Sequence, residues 1–303
     1  MRIPSIPRTR AAGLLLATAT AVVSGLAIYL NGHAVRAWVA SGVTPTGYTT
    51  IKNLLAGLVL TAVAVGVHRR SPQQMKRSQV AGLTFIAIVG GAIPFVLFFE
   101  GLSKASSGDA AFIHKTLVVW VAILAIPLLG ERLGSLHFLA IGLLLVGQTA
   151  MRGVADVGSG VGEIMILVAT AMWAIEAVVA RRLLRSVPTS LAAAARMAGG
   201  GLALFAFSAV TGSLGGIGRL TTVNWVWVAV AALVLSAYVG GLYGSLARIP
   251  AVDVMALMMP GAVITALLQT GFSGAAAPSP HGAVLMLAGG AVIVHGLSRR
   301  ALE

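Results

Sequence analysis

Three basic side chains stand inside otherwise apolar stretches of this sequence. Lys115 lies about ten residues into one such run, flanked by His114 and Thr116. Arg196 lies about seven residues into another, and Lys52 about six into a third. A charge at the centre of a helix in hydrocarbon costs roughly 2.5–3.5 kcal/mol on insertion scales, so such residues face an interior and tend to do chemistry there. An ammonium or guanidinium in that setting can hold a carboxylate or phosphate, and the His114 imidazole can exchange a proton near neutrality. Trp120, one turn after Thr116, and Tyr238 each offer an apolar body with one polar tip. The candidate small-molecule-binding residues are therefore Lys115, His114, Thr116, Trp120, Trp173, Arg196, Lys52 and Tyr238. The structural alternatives are a Lys115 paired with a carbonyl or a neighbouring carboxylate, and Lys52 and Arg196 reaching to the nearer interface on their long stems.

Acids are fewer. Glu176 shares a helix face with Trp173, and a carboxylate so placed could carry a proton or meet a cation. Its structural alternative is an ion pair with Arg181 or Arg182. Glu100 is a second candidate proton carrier. Asp109 and Asp253 read as helix caps, because an acid at a helix start satisfies free N–H groups and the dipole. Glu131 reads as a loop acid that holds a turn or pairs with Arg132. No His-Glu-x-x-His, Gly-x-Ser-x-Gly or Walker-type loop occurs, so neither a catalytic centre, a metal site nor a nucleotide engine is expected. No cofactor is called for, and the chain is read as no enzyme.

Positioning these groups is the work of a membrane-embedded helical scaffold. Of 303 residues, 58% are hydrophobic and 10% charged, against about 25% charged in soluble domains, and mean hydropathy is +0.95. A surface so poor in charge must face lipid. Apolar runs occur at 11–30, 46–67, 80–100, 106–129, 135–151, 161–181, 189–211, 224–244, 252–272 and 281–298. Each suffices to cross about 30 Å of hydrocarbon as a helix, the only open-ended structure that satisfies its own backbone in lipid. The fold class is therefore an all-α membrane protein with ten transmembrane helices. The first run, preceded by arginines, is read as an uncleaved helix rather than a signal peptide.

The net charge of +13 could suggest nucleic acid, but the basic residues lie between apolar runs and report topology instead. With the N-terminus inside, that side collects Arg2, Arg8, Arg10, Arg69, Arg70, Lys76, Arg77, Arg132, Arg181, Arg182, Arg185, Arg248, Arg299 and Arg300. The other side has Arg36, Lys104, Arg152 and Arg219. The positive-inside rule then places both termini in the cytoplasm, with the chain in the inner membrane. The expected partners are the lipid bilayer and a small-molecule substrate, with no nucleic acid; a homo-oligomer is compatible with the sequence. The absence of cysteine excludes disulfides and thiol chemistry.

The chain also repeats. A shift of 144 residues brings Lys104 onto Arg248, Asp109 onto Asp253, Gly130 onto Gly274, Ser135 onto Ser279 and His137 onto His281. Ala19-Thr20-Ala21 resembles Ala169-Thr170-Ala171. The repeat unit is about five helices, and five is odd, so the second copy enters the membrane inverted. The boundary is set as 1–155 and 156–303. Inverted repeats give many secondary transporters two related conformations, open to opposite sides.

Several stretches carry a family resemblance. Leu128-Leu129-Gly130-Glu131-Arg132-Leu133 is followed by Gly142-Leu143-Leu144-Leu145-Val146-Gly147. Phe98-Phe99-Glu100-Gly101-Leu102-Ser103-Lys104 ends the third run, Leu242 to Arg248 ends the eighth, and Pro260 lies in the ninth. In this order they resemble the drug/metabolite transporter superfamily, EamA type, across nearly the whole chain. The resemblance implies export or exchange of amino acids or other small polar metabolites; without a nucleotide engine the transport is read as secondary active, and Glu176 or Glu100 could carry a coupling proton. The alternatives are a multidrug exporter of organic cations and a non-transport membrane enzyme or sensor. The sequence departs from the family pattern at His114-Lys115-Thr116, where a proline is expected, and at Gly274-Ala275, where a second Gly-Glu is expected.

Overall fold

The computed structural model describes residues 8–68, 74–102, 104–105, 107–152, 158–274 and 276–299. Among these the regular structure is helical. Ten spans follow in order: α1 (Arg8–Ala40), α2 (Pro45–His68), α3 (Arg77–Leu102), α4 (Asp109–Leu129), α5 (Ser135–Arg152), α6 (Val161–Leu183), α7 (Thr189–Thr211), α8 (Thr222–Leu246), α9 (Ala251–Ser273) and α10 (Pro280–Arg299). Nine are long and apolar enough to cross a membrane, and α5 is a shorter apolar helix. The 155/156 boundary, the Gly-Ala position at Ala275 and the topology residues Arg2, Arg69, Arg70 and Arg300 lie outside the described residues.

The packing follows the repeat. Helices α2 and α7 pack on each other, as do α5 and α10. The α1–α8 contact has its counterpart in α3–α6, and α4–α6 has its counterpart in α1–α9. Exchanging the two halves maps the first two contacts onto themselves and interchanges the members of the other two pairs, as a pseudo-two-fold axis requires. Small residues permit the closest approaches: a Cβ on Gly57 would meet the Ala198 backbone at 2.6 Å, and one on Gly282 would meet the Met151 nitrogen at 2.6 Å.

Four spans are interrupted. α3 breaks at Ala92, just before Pro94. α7 contains a π-turn over Ala195–Gly199, so Arg196 lies in widened helix. α9 breaks at Met259-Pro260 because proline has no N–H to continue the ladder. α4 breaks at Thr116, the position that the 144-residue shift superposes on Pro260. Where a proline was expected, the Thr116 hydroxyl donates to the Ile113 carbonyl at 2.6 Å. A hydroxyl that competes for a backbone acceptor thus accompanies the same interruption. Broken helices at membrane depth are tolerated where they lie against protein.

α1 runs ten residues beyond its apolar stretch, to Ala40. Trp38, which from its place near a helix end suggests an interfacial residue, is fully buried instead. Its indole N–H donates to the Asn224 carbonyl at 3.0 Å, and its ring meets Tyr48 edge-on at 5.4 Å.

The end of the molecule near the α4–α5 turn is tied across the halves. Glu131 accepts hydrogen bonds from the backbone N–H groups of Ala251 and Val252, at 2.7 and 3.3 Å. It caps α9 in the other half rather than its own turn. His137, which suggests an interfacial residue from its place at a helix start, is buried and bonds Asp253 at 3.1 Å. Burial raises the Glu131 carboxyl above the usual range, and the two backbone N–H groups only partly oppose this. A raised value means that the folded state holds the proton more tightly. The contribution to stability is full below the ordinary value of 4.5 and is lost as pH rises through the raised one. The difference in unfolding temperature between wild type and Glu131→Gln should therefore change across that window, with wild type losing ground as pH rises. An unchanged difference would show that the carboxyl is not buried as described.

Candidate functional site

Three of the charged residues, Glu176, Arg196 and Lys52, lie where α2, α3, α6, α7 and α8 pack together. Glu176 on α6 is 2% exposed and Arg196 on α7 is 5% exposed. Arg196 Nη2 lies 3.6 Å from Glu176 Oε2. The Tyr243 hydroxyl of α8 donates to Glu176 Oε1, and the guanidinium carbon sits 6.0 Å from the Tyr243 ring centroid. Tyr238 is close enough to feel both charges. Glu176 is therefore partnered by Arg196, not by Arg181 or Arg182; Arg181 donates instead to the Leu246 carbonyl. Arg196 does not reach to an interface.

Space for this cluster comes from glycine. A Cβ on Gly90 of α3 would meet Glu176 Cδ at 2.8 Å and Arg196 Nε at 3.1 Å. Beside it, Gly91 packs on the Arg196 carbonyl and on Gly200, whose Cα is 3.0 Å from a built Cβ. The π-turn pushes that carbonyl toward α3, and only a residue without a side chain fits there.

Lys52 on α2 stands at the position equivalent to Arg196, 144 residues earlier, and is 3% exposed. Its ammonium donates to Asn31 Oδ1 of α1 at 3.0 Å. The same oxygen accepts from the Tyr48 hydroxyl at 2.9 Å, while Asn31 Nδ2 donates to the Ala27 carbonyl at 2.7 Å. Three rings surround the ammonium, with centroids at 5.3 Å for Tyr48, 6.0 Å for Phe95 and 5.6 Å for Phe99. Cation–π contacts of this kind contribute about 0.5–2 kcal/mol each and offset part of the burial cost. No carboxylate lies within ion-pair distance of Lys52 among the described residues. Thr49, one turn before Lys52, and Asn53, one turn after Thr49 and about 100° round the helix from Lys52, are both fully buried. The Thr49 hydroxyl and both polar atoms of the Asn53 amide have no hydrogen-bond partner in the protein.

The two clusters are joined through aromatic rings. Phe95 meets Trp173 edge-on at 5.4 Å, and Trp173 meets His114 at 5.1 Å. Trp173 Nε1 donates to the Gly90 carbonyl at 3.0 Å. Phe98 packs on both His114 and Trp173, with centroids at 5.5 Å in each case. His114 Nδ1 is buried and unpartnered.

Lys52, Arg196, Glu176, Trp173, Tyr238 and His114 thus form one neighbourhood. Lys115 is next to it in sequence and half-buried. Thr116 and Trp120 bond each other at 3.2 Å and line a different crevice of about 680 Å³. Its other walls include Ile123, Val146 and Leu167, exposed apolar side chains that suit contact with lipid. Glu100 accepts from Thr46 at 3.1 Å and pairs with Lys104 at 3.7 Å, at a partly exposed position. Sequence reading missed Asn31, Tyr48, Thr49, Asn53, Phe95 and Tyr243. The one available signal was the density of polar residues around Lys52, Thr49-Thr50-Ile51-Lys52-Asn53. Asn31 fell just past the expected end of the first span.

Two inverted halves of five helices, meeting around buried charges, define a polytopic membrane protein built on internal repeats. The chain matches the EamA-like transporter family over residues 11–151 and again over 160–295. It belongs to that family, and it is a membrane transporter of the drug/metabolite type. A solved crystal structure, titled only as that of a protein, is similar at 22% identity with a TM-score of 0.74, covering 96% of this chain and 99% of that one; the likeness concerns the fold. No curated protein sequence matches at a significant level.

Proposed function

We propose that this protein is a secondary active transporter that exports or exchanges small polar metabolites, amino acids among them. It works by rocking its two inverted halves, divided at 155/156, about the shared site. In this reading it lies in the inner membrane with both termini in the cytoplasm, as its arginine distribution favours. The observation that carries the proposal is the pair of buried cations, Lys52 and Arg196. They occupy equivalent positions on α2 and α7, which pack on each other between the halves. Intramembrane charges at a repeat interface are the usual location of transported cargo.

Lys115 and His114 would border the path from the α4 side. Of the acids, Glu176 in the buried cluster or Glu100 at the end of α3 would carry a coupling proton. An organic-cation exporter would need an acid free to meet its cargo, and the Glu176 carboxylate already holds Arg196 and Tyr243. The geometry therefore favours the metabolite reading, and nothing in the site favours an enzyme or sensor.

The test is uptake into proteoliposomes. Purified protein is screened by thermal shift against amino acids, organic acids, nucleosides and cations, and each stabilising solute is then assayed for flux under an imposed pH gradient. Saturable flux accelerated by the gradient is expected for at least one non-cationic solute. Stabilising solutes with no flux would sink the transport reading, and flux confined to organic cations would favour the multidrug alternative.

A further inference from the structure

The two halves, so alike in packing, differ at the starts of α4 and α9. The 144-residue shift superposes the start of α4, Ser107–Lys115, on the start of α9, which begins at Ala251. Most of their neighbours correspond. The start of α9 packs on α1, α10 and α8, and the start of α4 packs on the equivalents α6, α5 and α3. The start of α9 also packs on Leu117–Leu129 of α4. The equivalent contact, between the start of α4 and Gly261–Ser273 of α9, is not formed to a comparable extent among the described residues. Burial follows the same asymmetry. Every residue of Ala251–Met258 is buried, whereas between 109 and 114 only Asp109, Ala110 and Ile113 are. The breaks at Met259-Pro260 and Thr116 end the two starts, so each is a segment hinged on its own span. The neighbouring turns show no such asymmetry: Thr44 donates to the Ser213 carbonyl at 3.1 Å, and Gln79 to the Ser186 carbonyl at 3.0 Å.

The closed segment is held from across the halves. Glu131 accepts from the Ala251 and Val252 N–H groups at 2.7 and 3.3 Å. His137 Nε2 lies 3.1 Å from Asp253 Oδ1, and the Gly134 N–H donates to His137 Nδ1 at 3.1 Å. Since Nδ1 accepts, the ring donates to the carboxylate through Nε2. The other end lacks the residues to copy this. The shift places Ala275 on Glu131 and Pro278 on Gly134, and proline has no N–H to offer an imidazole. Asp109 and His281 are the equivalents that remain, and His281 is exposed.

We propose that Glu131 and His137 form a one-sided latch that keeps the hinged start of α9 shut on α4, so that the cargo-free protein rests sealed at this end. In the orientation proposed above this is the cytoplasmic end. For the shared site to open there, the start of α9 must leave α4, and the three hydrogen bonds to Ala251, Val252 and Asp253 break together. The start of α4, which carries His114 and Lys115, has no equivalent of Glu131 or of the Gly134 donor. It is therefore the segment that yields first, and cargo enters from its end. The inference rests on the transporter reading in treating the two segments as gates, and it adds to that reading which gate is closed at rest and what closes it.

The chain has no cysteine, so single introduced thiols report without background. Ala111 and Met255 are equivalent under the shift; Ala111 is exposed and Met255 is 5% exposed. Purified full-length Ala111→Cys and Met255→Cys proteins are treated with a charged methanethiosulfonate, which reacts with thiols in contact with water. The labelling rate then tracks the population open at each end. Without added solute, Ala111→Cys should react at least about tenfold faster than Met255→Cys. Adding Glu131→Ala or His137→Ala should speed Met255→Cys at least about tenfold and slow Ala111→Cys at least about twofold, because opening one end closes the other. Glu131→Gln, whose amide oxygen still accepts from α9, should fall between. Unfolding temperatures identify the folded variants, and His137→Ala or Glu131→Gln decides if Glu131→Ala does not fold. Equal reactivity of the two thiols at rest, or unchanged Met255→Cys labelling in the folded variants, would overturn the latch. Faster labelling at both positions would overturn it too, since that is local loosening rather than an exchange of gates. Reciprocal labelling without counterflow of any solute would uphold the latch and overturn the transport reading. Counterflow with unchanged labelling would do the reverse.

Discussion

Truncating Glu176 to alanine will destabilise the fold by about 3–5 kcal/mol, because it leaves the Arg196 guanidinium buried without its counter-charge. Arg196→Met will cost a similar amount for the converse reason. The double variant Glu176→Leu, Arg196→Met will recover much of the loss, since apolar groups of similar volume replace both ions and no lone charge remains. The size of this non-additivity measures how far water is excluded from the pair. It is read from chemical or thermal unfolding of the four proteins in one detergent. Single variants that each cost under about 1 kcal/mol would mean a solvated pair of the surface kind. The milder Glu176→Gln keeps a partner for Tyr243 and separates two roles. If Glu176 carries the coupling proton, flux loses its response to a pH gradient while counterflow persists. If it only neutralises Arg196, both fall together.

Gly91→Ala will be the most damaging methyl group in the molecule. Its Cβ would meet the Arg196 carbonyl and the Gly200 backbone, and backbone on backbone has no rotamer to yield. Overpacking of this kind costs about 1–3 kcal/mol and occasionally more; here the upper end is expected, since α3 and α7 must separate to relieve it. Separation would carry Arg196 away from Glu176, so transport should fall further than stability alone accounts for. Gly66→Ala is the control. A Cβ there meets nothing within 4 Å, and the exchange should be neutral or stabilising by up to about 1 kcal/mol, since alanine is the better helix former. Equal effects at the two glycines would contradict the close packing of α3 on α7.

The spans were legible in the sequence because lipid leaves the backbone one choice. Helix boundaries near 46, 135, 161 and 189 agree with the structure to within a residue or so. The end of α1 was not legible. The segment after Leu30 is held as helix by protein contacts, Trp38 on Asn224 and Tyr48 on Asn31, rather than by hydrocarbon. That is also why Asn31 escaped notice as a partner of Lys52. The repeat was legible through its paired polar residues, and it correctly related Lys52 to Arg196. Partner choice was not legible. Glu176 has two arginines within six residues on its own helix, yet it meets one twenty residues away, because the π-turn and the Gly90-Gly91 pair bring α7 close. Spacing along one helix says nothing about which other helix arrives. The interruption at Thr116 could be inferred only from its counterpart Pro260, since threonine by itself does not break helices.

The central claim is that the Lys52 charge, held between two halves of a secondary transporter, engages the cargo. The most direct test is counterflow by wild type and Lys52→Met in matched proteoliposomes, preloaded with an unlabelled solute that stabilises the purified protein. The account predicts transient accumulation of labelled solute by wild type without any nucleotide. It predicts at least a tenfold lower initial rate for Lys52→Met, with the variant's unfolding temperature showing that it is folded. Equal counterflow by a folded Lys52→Met would contradict the account.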